Sequence, residues 1–123
     1  MNVQEFFEAF KKGQRHFSNL HFEYDKGFQG QNLKGVIFDS CFLYIDLRNS
    51  NLKGAKFIDC NLKELDLRES NLCDGLMTKC LIESTLFRGA EITNFVFKEN
   101  YYYGHILNQE NLHKLIEIEA KED

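Results

Sequence analysis

Three arginines recur at a spacing of twenty residues, at Arg48, Arg68 and Arg88. Two of them stand two positions after an aspartate: Arg48 follows Asp46, and Arg68 follows Asp66. A planar guanidinium can donate two parallel hydrogen bonds to a carboxylate, so this column could bind acidic groups of a protein partner. The same residues could instead form a solvated ladder in which the aspartates relieve repulsion between the arginines. Both interpretations stay open, and these five residues are the candidate partner-binding site.

Other residue types that bind metals or perform catalysis are present without a suitable arrangement. The four cysteines, at positions 41, 60, 73 and 80, match no paired zinc motif, and the four histidines, at 16, 21, 105 and 113, form no recognisable ligand set. No Ser–His–Asp set, phosphate-binding glycine loop or pair of carboxylates in a common pocket can be assembled. We therefore predict no catalytic residues, no metal site and no cofactor, in a protein that is not an enzyme.

An apolar residue falls on every fifth position from Ile37 to Phe97, thirteen times without interruption. Helices repeat near 3.6 residues and strands at 2, so a sustained period of 5 indicates a repeat architecture. A small or slim residue mostly stands two positions before each apolar one, and the other three positions are mainly polar. Each five-residue unit is therefore expected to turn two side chains inward and three outward.

The pattern is irregular towards the N-terminus. The inward apolar positions expected there are 17, 22, 28, 33, 38 and 42, which are separated by 5, 6, 5, 5 and 4 residues. The insertion and the deletion cancel, and the extra residue is predicted near Gly27–Gly30. This frame places Phe42 inward and Leu43 outward.

The same frame assigns the cysteines. Cys60 and Cys80 occupy the inward small position twenty residues apart, a series that Ser40 is expected to begin, and should be buried, reduced thiols. Cys41 and Cys73 are expected to point outward as ordinary thiols.

Units such as Ser50-Asn51-Leu52-Lys53-Gly54 and Ser70-Asn71-Leu72-Cys73-Asp74 resemble the small-Asn/Asp-Leu-x-x signature of pentapeptide-repeat proteins. The resemblance covers roughly residues 15–104. It implies an all-β fold, a right-handed quadrilateral β-helix in which each unit forms one side and four units form one coil. About four coils are expected, with their interior filled by the apolar and small residues.

Coils of this kind stack at the spacing of neighbouring strands, ~4.8 Å, so residues twenty positions apart become vertical neighbours. The expected apolar ladders are Phe42/Leu62/Ile82, Leu47/Leu67/Phe87, Leu52/Leu72/Ile92 and Phe57/Met77/Phe97. No coil is stable alone, and an open end exposes core and strand edges, so the solenoid needs caps.

Both ends of the chain supply candidate capping helices. Apolar residues recur at helical spacing within residues 3–12, with Asn2 as N-cap, Glu5 three positions on and Gly13 as a stop. Helical spacing returns over residues 109–120. The predicted organisation is therefore a capping helix at 1–13, a repeat solenoid at 14–104 and a C-terminal helix and tail at 105–123.

Several apolar residues fall where the frame points outward. They are Leu43, Tyr44, Ile58, Leu76, Leu81, Leu86 and Val96. Cover by the C-terminal helix, self-association and a partner surface would each explain them. The candidate self-association residues are Leu81, Leu86, Leu112, Leu115 and Ile116, and one expectation is a homodimer through the C-terminal end.

Composition narrows the function classes. A net charge of -4 and a pI near 5.6 argue against a basic nucleic-acid surface, so no direct nucleic-acid binding is expected. The sequence shows no secretory leader and no apolar run of membrane-spanning length, which favours a cytoplasmic location without membrane contact.

Two functions from different classes remain. The leading hypothesis is a non-enzymatic interaction module that presents rigid solenoid faces to a protein partner, as an adaptor, inhibitor or immunity protein. The alternative is implied by the resemblance alone: a DNA-mimicking protein that protects DNA gyrase, like the quinolone-resistance pentapeptide proteins.

Overall fold

The computed structural model describes residues 1–121, which form a four-sided β-solenoid of about four coils with one helix at each end. Helix α1 spans Val3–Lys11 and helix α2 spans Gln109–Lys121. The predicted β-solenoid with terminal helices is confirmed. The last two residues of the predicted tail, 122–123, lie outside the described residues.

Short strands pair in parallel from one coil to the next. Along the first side these are β1 (His16–Ser18), β3 (Ile37–Asp39), β5 (Lys56–Ile58), β6 (Leu76–Thr78) and β7 (Val96–Lys98). On the second side, β2 (His21–Phe22) pairs with β4 (Phe42–Leu43), and β8 (Asn100–Tyr102) forms an antiparallel hairpin with β9 (His105–Leu107). Parallel bridges such as Asp46–Asp66 and Asn51–Asn71 join coils on the third and fourth sides.

The interior consists of four apolar ladders. The ladders Leu47/Leu67/Phe87 and Phe57/Met77/Phe97 are almost completely buried, as predicted. In Leu52/Leu72/Ile92 the first two residues are fully buried and Ile92, in the last coil, is half-buried. The residue that turns each corner commonly has a positive φ, as at Asn49 (59°) and Gly54 (74°). Asn, Asp and Gly tolerate this left-handed conformation better than bulkier residues, which is why they are frequent at the corners.

One part of the predicted frame is wrong. Leu43, expected outward, is fully buried, whereas Phe42, expected inward, is half-buried and faces outward. The inward residues Phe38, Leu43 and Leu47 show that the four-residue side lies one corner later than predicted. The second ladder is therefore Leu43/Leu62/Ile82. The extra residue, in contrast, does lie at a 3-10 turn, Lys26–Phe28, beside the predicted position.

The N-terminal end is closed by α1. Asn2 and Glu5 form a reciprocal capping box, in which each side chain accepts a hydrogen bond from the other residue's backbone N–H. The helix inserts Phe6, which is fully buried, into an aromatic cluster drawn from the inward positions of the first coils. Its ring centroid lies 4.5 Å from that of Phe17 and 5.6 Å from that of Phe28. Phe6 thus fills the open end that the first coil would otherwise expose to water.

The C-terminal end is closed by side-chain hydrogen bonds as well as by apolar packing. Leu112 of α2 is fully buried against the last coil. The backbone N–H of Phe97 donates to Gln109 Oε1 at 2.8 Å, and that of Glu99 donates to Asn108 Oδ1 at 2.9 Å. These edge amides have no further coil to bond, and an unpaired buried amide would cost stability.

Candidate partner-binding groove

The predicted arginine column lies on the third side of the solenoid. Asp46 and Asp66 are bridged in parallel between coils, and Leu86 occupies the same position in the next coil. The structure therefore brings Asp46, Asp66, Arg48 and Arg68 together as predicted, on a backbone held by hydrogen bonds between coils.

Each of the first two arginines binds its own aspartate through two nitrogens. Arg48 Nη2 lies 2.8 Å from Asp46 Oδ2, and its Nε lies 3.1 Å from Asp46 Oδ1. Arg68 repeats this geometry with Asp66, at 2.7 Å for Nη2 and 2.9 Å for Nε. The coils are also linked to each other, since Arg48 Nε lies 3.5 Å from Asp66 Oδ2. The two pairs form one continuous charge network.

Asp46 is held in its ionised form. Burial alone would raise the pKa of Asp46, whose side chain is only 2% exposed, but hydrogen bonds from the Arg48 guanidinium and backbone N–H hold that pKa below its usual value. In return, the hydrogen bonds to Asp46 and Asp66 raise the pKa of Arg48 and Arg68 respectively. Asp46 and the two arginines therefore stay charged across the physiological range.

This network predicts a loss of stability in acid that depends on Asp46. The pKa of Asp46 is lower in the folded state than in the unfolded state. Its contribution to the free energy of unfolding is therefore fully present above the unfolded pKa of about 3.9 and is lost as the pH falls through the lower folded pKa. The variant Asp46→Asn should therefore show a flatter decline of the free energy of unfolding below about pH 5. Urea denaturation at several pH values measures this. The exposed corner variant Asp59→Asn is the control, and an equally flat curve for it would contradict the prediction.

Sequence reasoning missed the carboxylate that serves the third coil. Glu119 of α2 accepts hydrogen bonds from the backbone N–H groups of Phe87, at 2.8 Å, and Arg88, at 3.1 Å. Burial raises the pKa of Glu119, and the hydrogen bonds from Phe87 and Arg88 oppose that effect. The signal in the sequence was Leu86, which leaves this coil without the aspartate that the other two have.

Two tyrosines, Tyr24 and Tyr44, complete the site. Only Tyr44 was predicted from the sequence, as an outward apolar residue. The ring centroids of Tyr24 and Tyr44 lie 5.3 Å apart, and both residues line a groove of about 370 Å³ together with Arg48 and Arg68. Glu64, Ser84 and Leu86 line it further along. We call this surface the tyrosine–arginine groove. It combines Tyr and Arg, two of the residue types that most often dominate binding at protein interfaces.

Comparison with known proteins identifies the repeat. The family model for pentapeptide repeats (8 copies) matches residues 44–74. The fold also matches that of a pentapeptide repeat protein from Nostoc Pcc 7120, with 17% identity and a TM-score of 0.57, covering 75% of this chain and 96% of that one. Residues 44–74 are pentapeptide repeats, and the chain has the fold of pentapeptide-repeat proteins.

Two further solved structures share the fold of this pentapeptide-repeat protein. One, from the Arabidopsis thaliana thylakoid lumen, has 18% identity and a TM-score of 0.50, and covers 87% of this chain and 84% of that one. The other is QnrB1, a plasmid-mediated fluoroquinolone resistance protein, with 23% identity, a TM-score of 0.51 and coverage of 72% of this chain but 56% of that one. Identities this low establish a common fold only. No curated protein matches the sequence.

The candidate self-association residues lie at or near the C-terminal end of this pentapeptide-repeat protein, with different exposures. Leu112 is fully buried, while Leu115 and Ile116 are half-buried and pack against the core. Leu86 and Leu115 line a second groove of about 240 Å³, next to the tyrosine–arginine groove. Leu81 stands apart from them on the second side, bridged to Asn61 and Tyr101.

The histidines do not assemble a catalytic set in the described residues. His16 Nε2 lies 3.4 Å from Ser18 Oγ and 3.6 Å from Asp39 Oδ2. A serine nucleophile and its orienting carboxylate must contact opposite ring nitrogens, and here both contact the same one. No group of three or more His, Cys, Asp or Glu in residues 1–121 is placed to hold a metal ion.

The cysteine column differs from the prediction at its first member. Cys41, expected outward, is buried and begins the column that continues with Cys60 and Cys80, whereas Ser40 is exposed at the corner. The later position of the four-residue side shifts both residues by one. Each buried thiol donates to main-chain carbonyls, as Cys60 Sγ does to Ile58 O at 3.3 Å.

These contacts make the buried thiols unreactive. Interaction with Cys60 and burial raise the pKa of the Cys41 thiol. Contact with Cys41 lowers the pKa of Cys60, but contact with Cys80 and burial outweigh it and raise that pKa to about 12. The nucleophile in thiol chemistry is the thiolate, which Cys41 and Cys60 do not form near neutral pH. The Cys80 side chain is fully buried and out of reach of reagents.

We therefore expect one reactive thiol per native chain. Cys73 is half-buried on the fourth side, and the other three cysteines are buried. A chromogenic disulfide reagent should titrate one thiol in the native protein and four in denaturant, while Cys73→Ser should remove the native reaction. Rapid reaction of two or more thiols in the native state would contradict the assignment of the column.

Proposed function

We propose that this pentapeptide-repeat protein is a non-enzymatic interaction module that binds another protein through the tyrosine–arginine groove. The observation that carries the proposal is the groove itself, which two adjacent tyrosines and two guanidinium groups line on a surface fixed by the coil backbone. A partner would meet side chains that are already ordered, so little conformational entropy would be lost on binding.

The chemistry of the groove suits a partner segment that combines carboxylates with apolar side chains. Among the described residues, the contacts of Arg48 and Arg68 with their aspartates use Nε and Nη2, which leaves Nη1 of each for a carboxylate or carbonyl. Tyr24, half exposed at 52%, offers an apolar face with a polar tip. Leu86, which is half-buried, supplies apolar contact. Adaptor, inhibitor and immunity roles all fit this mode of binding.

We further propose that the protein acts in the cytoplasm and binds neither a membrane nor DNA. Its four cysteines are unpaired, which suits the cytoplasm. None of the helices in residues 1–121 is long and apolar enough to cross a membrane. The charges along the groove alternate in sign, so no basic stripe is available to neutralise successive phosphates of duplex DNA.

The experiment is affinity capture from the native cell, followed by binding measurements with the purified partner. The double variant Tyr24→Ser/Tyr44→Ser alters the groove, and Lys34→Ser/Lys53→Ser alters the exposed fourth side as a matched control. We expect the groove variant to weaken binding about tenfold or more, because each of these tyrosines should contribute on the order of 1 kcal/mol. The control should bind like wild type. A partner that binds the groove variant normally would refute the proposal.

The fold shared with QnrB1 favours one second candidate, the DNA-mimicking protection of DNA gyrase. The mixed charge of the arginine column argues against it, because a DNA mimic needs a predominantly acidic surface. A supercoiling assay with gyrase and a fluoroquinolone separates the two candidates. Protection of supercoiling by the purified protein would replace the interaction module with the second candidate.

A further inference from the structure

Strand β9 is the outermost strand on the second side of the solenoid. Leu81 is bridged in parallel to Tyr101 of β8, and β8 turns through Tyr103 and Gly104 into β9. The antiparallel register pairs Tyr101 with Ile106. Beyond β9, no further strand follows among the described residues.

The main chain of Ile106 points away from β8. The Tyr101 N–H donates to Cys80 O at 2.8 Å, and the Ile82 N–H donates to Tyr101 O at 3.0 Å, so both polar groups of Tyr101 face the solenoid. In an antiparallel pair, two directly opposite residues either both point their N–H and C=O groups at each other or both point them away from each other. The N–H and C=O of Ile106 therefore face outward, and no hydrogen bond from residues 1–121 reaches them.

This edge lacks the protection that exposed strands normally carry. Natural proteins shield such edges with charged side chains or proline. Residues 100–109 contain no Asp, Glu, Lys or Arg, and the chain has no proline. The large apolar side chains are instead unusually exposed, at 38% for Tyr101, 63% for Tyr103, 60% for Ile106 and 45% for Ile118.

The geometry points to a second copy of this chain as the occupant: we propose that β9 pairs antiparallel with β9 of another molecule, about a two-fold axis at Ile106. A three-residue strand whose central residue presents both donor and acceptor is complementary to itself. Each Ile106 would donate to and accept from the other, so the second side of the two solenoids would join into one sheet. The uncharged segment also keeps like charges away from the axis in a protein of net charge -4.

The interface uses a surface different from the tyrosine–arginine groove, so it stands or falls independently of the proposed function. Two central hydrogen bonds and a few apolar side chains make a contact at the small end of specific interfaces. We therefore expect a reversible dimer that forms with a Kd of roughly micromolar to hundreds of micromolar.

Sedimentation across this concentration range tests the proposal. Wild type should change from monomer to dimer. Ile106→Pro removes the outward N–H without removing a hydrogen bond between β8 and β9, and an edge strand tolerates proline at such a position. This variant should stay monomeric with an unchanged thermal midpoint. Ile106→Lys should behave likewise, whereas Tyr24→Lys, which alters an exposed aromatic residue elsewhere, should dimerise normally. A monomeric wild type, or variants that dimerise like it, would overturn the proposal.

Cross-linking provides a test that does not depend on losing the interface. In a Cys73→Ser background, the variant Ile106→Cys would place two thiols across the axis on residues whose Cα atoms are about 5.5 Å apart. A short bismaleimide should join the chains efficiently, and Tyr24→Cys in the same background should remain uncross-linked. Equal yields for the two variants would place the contact elsewhere and reject β9 pairing.

Discussion

Replacing Leu67 with Ala is expected to lower the free energy of unfolding by about 2–5 kcal/mol. Leu67 is completely buried in the middle of the ladder formed with Leu47 and Phe87, so the truncated side chain leaves a cavity between two coils. The coils on either side are fixed by hydrogen bonds between backbones, such as Leu67 N–H to Leu86 O at 2.8 Å, and cannot collapse to fill it. Urea denaturation monitored by circular dichroism measures the loss.

Lys63→Ala is the matched control, since Lys63 lies four residues away and points outward. Its only described ion pair, with Glu83 Oε1 at 3.7 Å, is partly exposed and should contribute at most about 1 kcal/mol. Equal stability of the two variants would show that the assignment of inward and outward positions is wrong.

Deleting residues 108–123 is expected to make the protein aggregate or unfold at temperatures where the full chain is folded. The deletion removes Leu112 from the last coil and leaves the edge amides of Phe87, Phe97 and Glu99 without Glu119, Gln109 and Asn108. An uncovered core and an unpaired edge at the end of a solenoid favour association with other chains. Light scattering and thermal unfolding of both chains measure the effect.

Point variants separate capping from self-association by α2. Leu112→Ala should cost about 2–5 kcal/mol, whereas Ile118→Ala, at a side chain 45% exposed, should cost under about 1 kcal/mol. A deletion variant that stays folded and soluble with an unchanged thermal midpoint would contradict the capping role. The deletion leaves β9 in place, so the proposed pairing of two chains can be measured separately in such a variant.

Much of the fold was predictable because a five-residue period leaves few alternatives. The five-residue spacing, with the four-unit coil that the family resemblance implied, identified the ladder Leu47/Leu67/Phe87 and placed Arg48 and Arg68 beside Asp46 and Asp66. The capping box of α1 was equally predictable, since it depends only on residues three positions apart. Local spacing determines such features, whatever the rest of the chain does.

Tertiary structure decided the features in which neighbouring residues were chemically equivalent or distant ones had to meet. Phe42 and Leu43 are both apolar, and Ser40 and Cys41 are both small, so only the stacking of complete coils could place the four-residue side. The approach of Glu119 to the backbone of Phe87 spans 32 residues and depends on how α2 docks.

The sequence by itself determined which side chains repeat at each position of a coil, because its period matches the length of one side. Only the folded chain could bring Tyr24 into one groove with Arg48 or turn the N–H of Ile106 outward. The groove depends on where the irregular coils shift the register, and the free edge depends on where the hairpin ends the solenoid. Neither is encoded in local spacing.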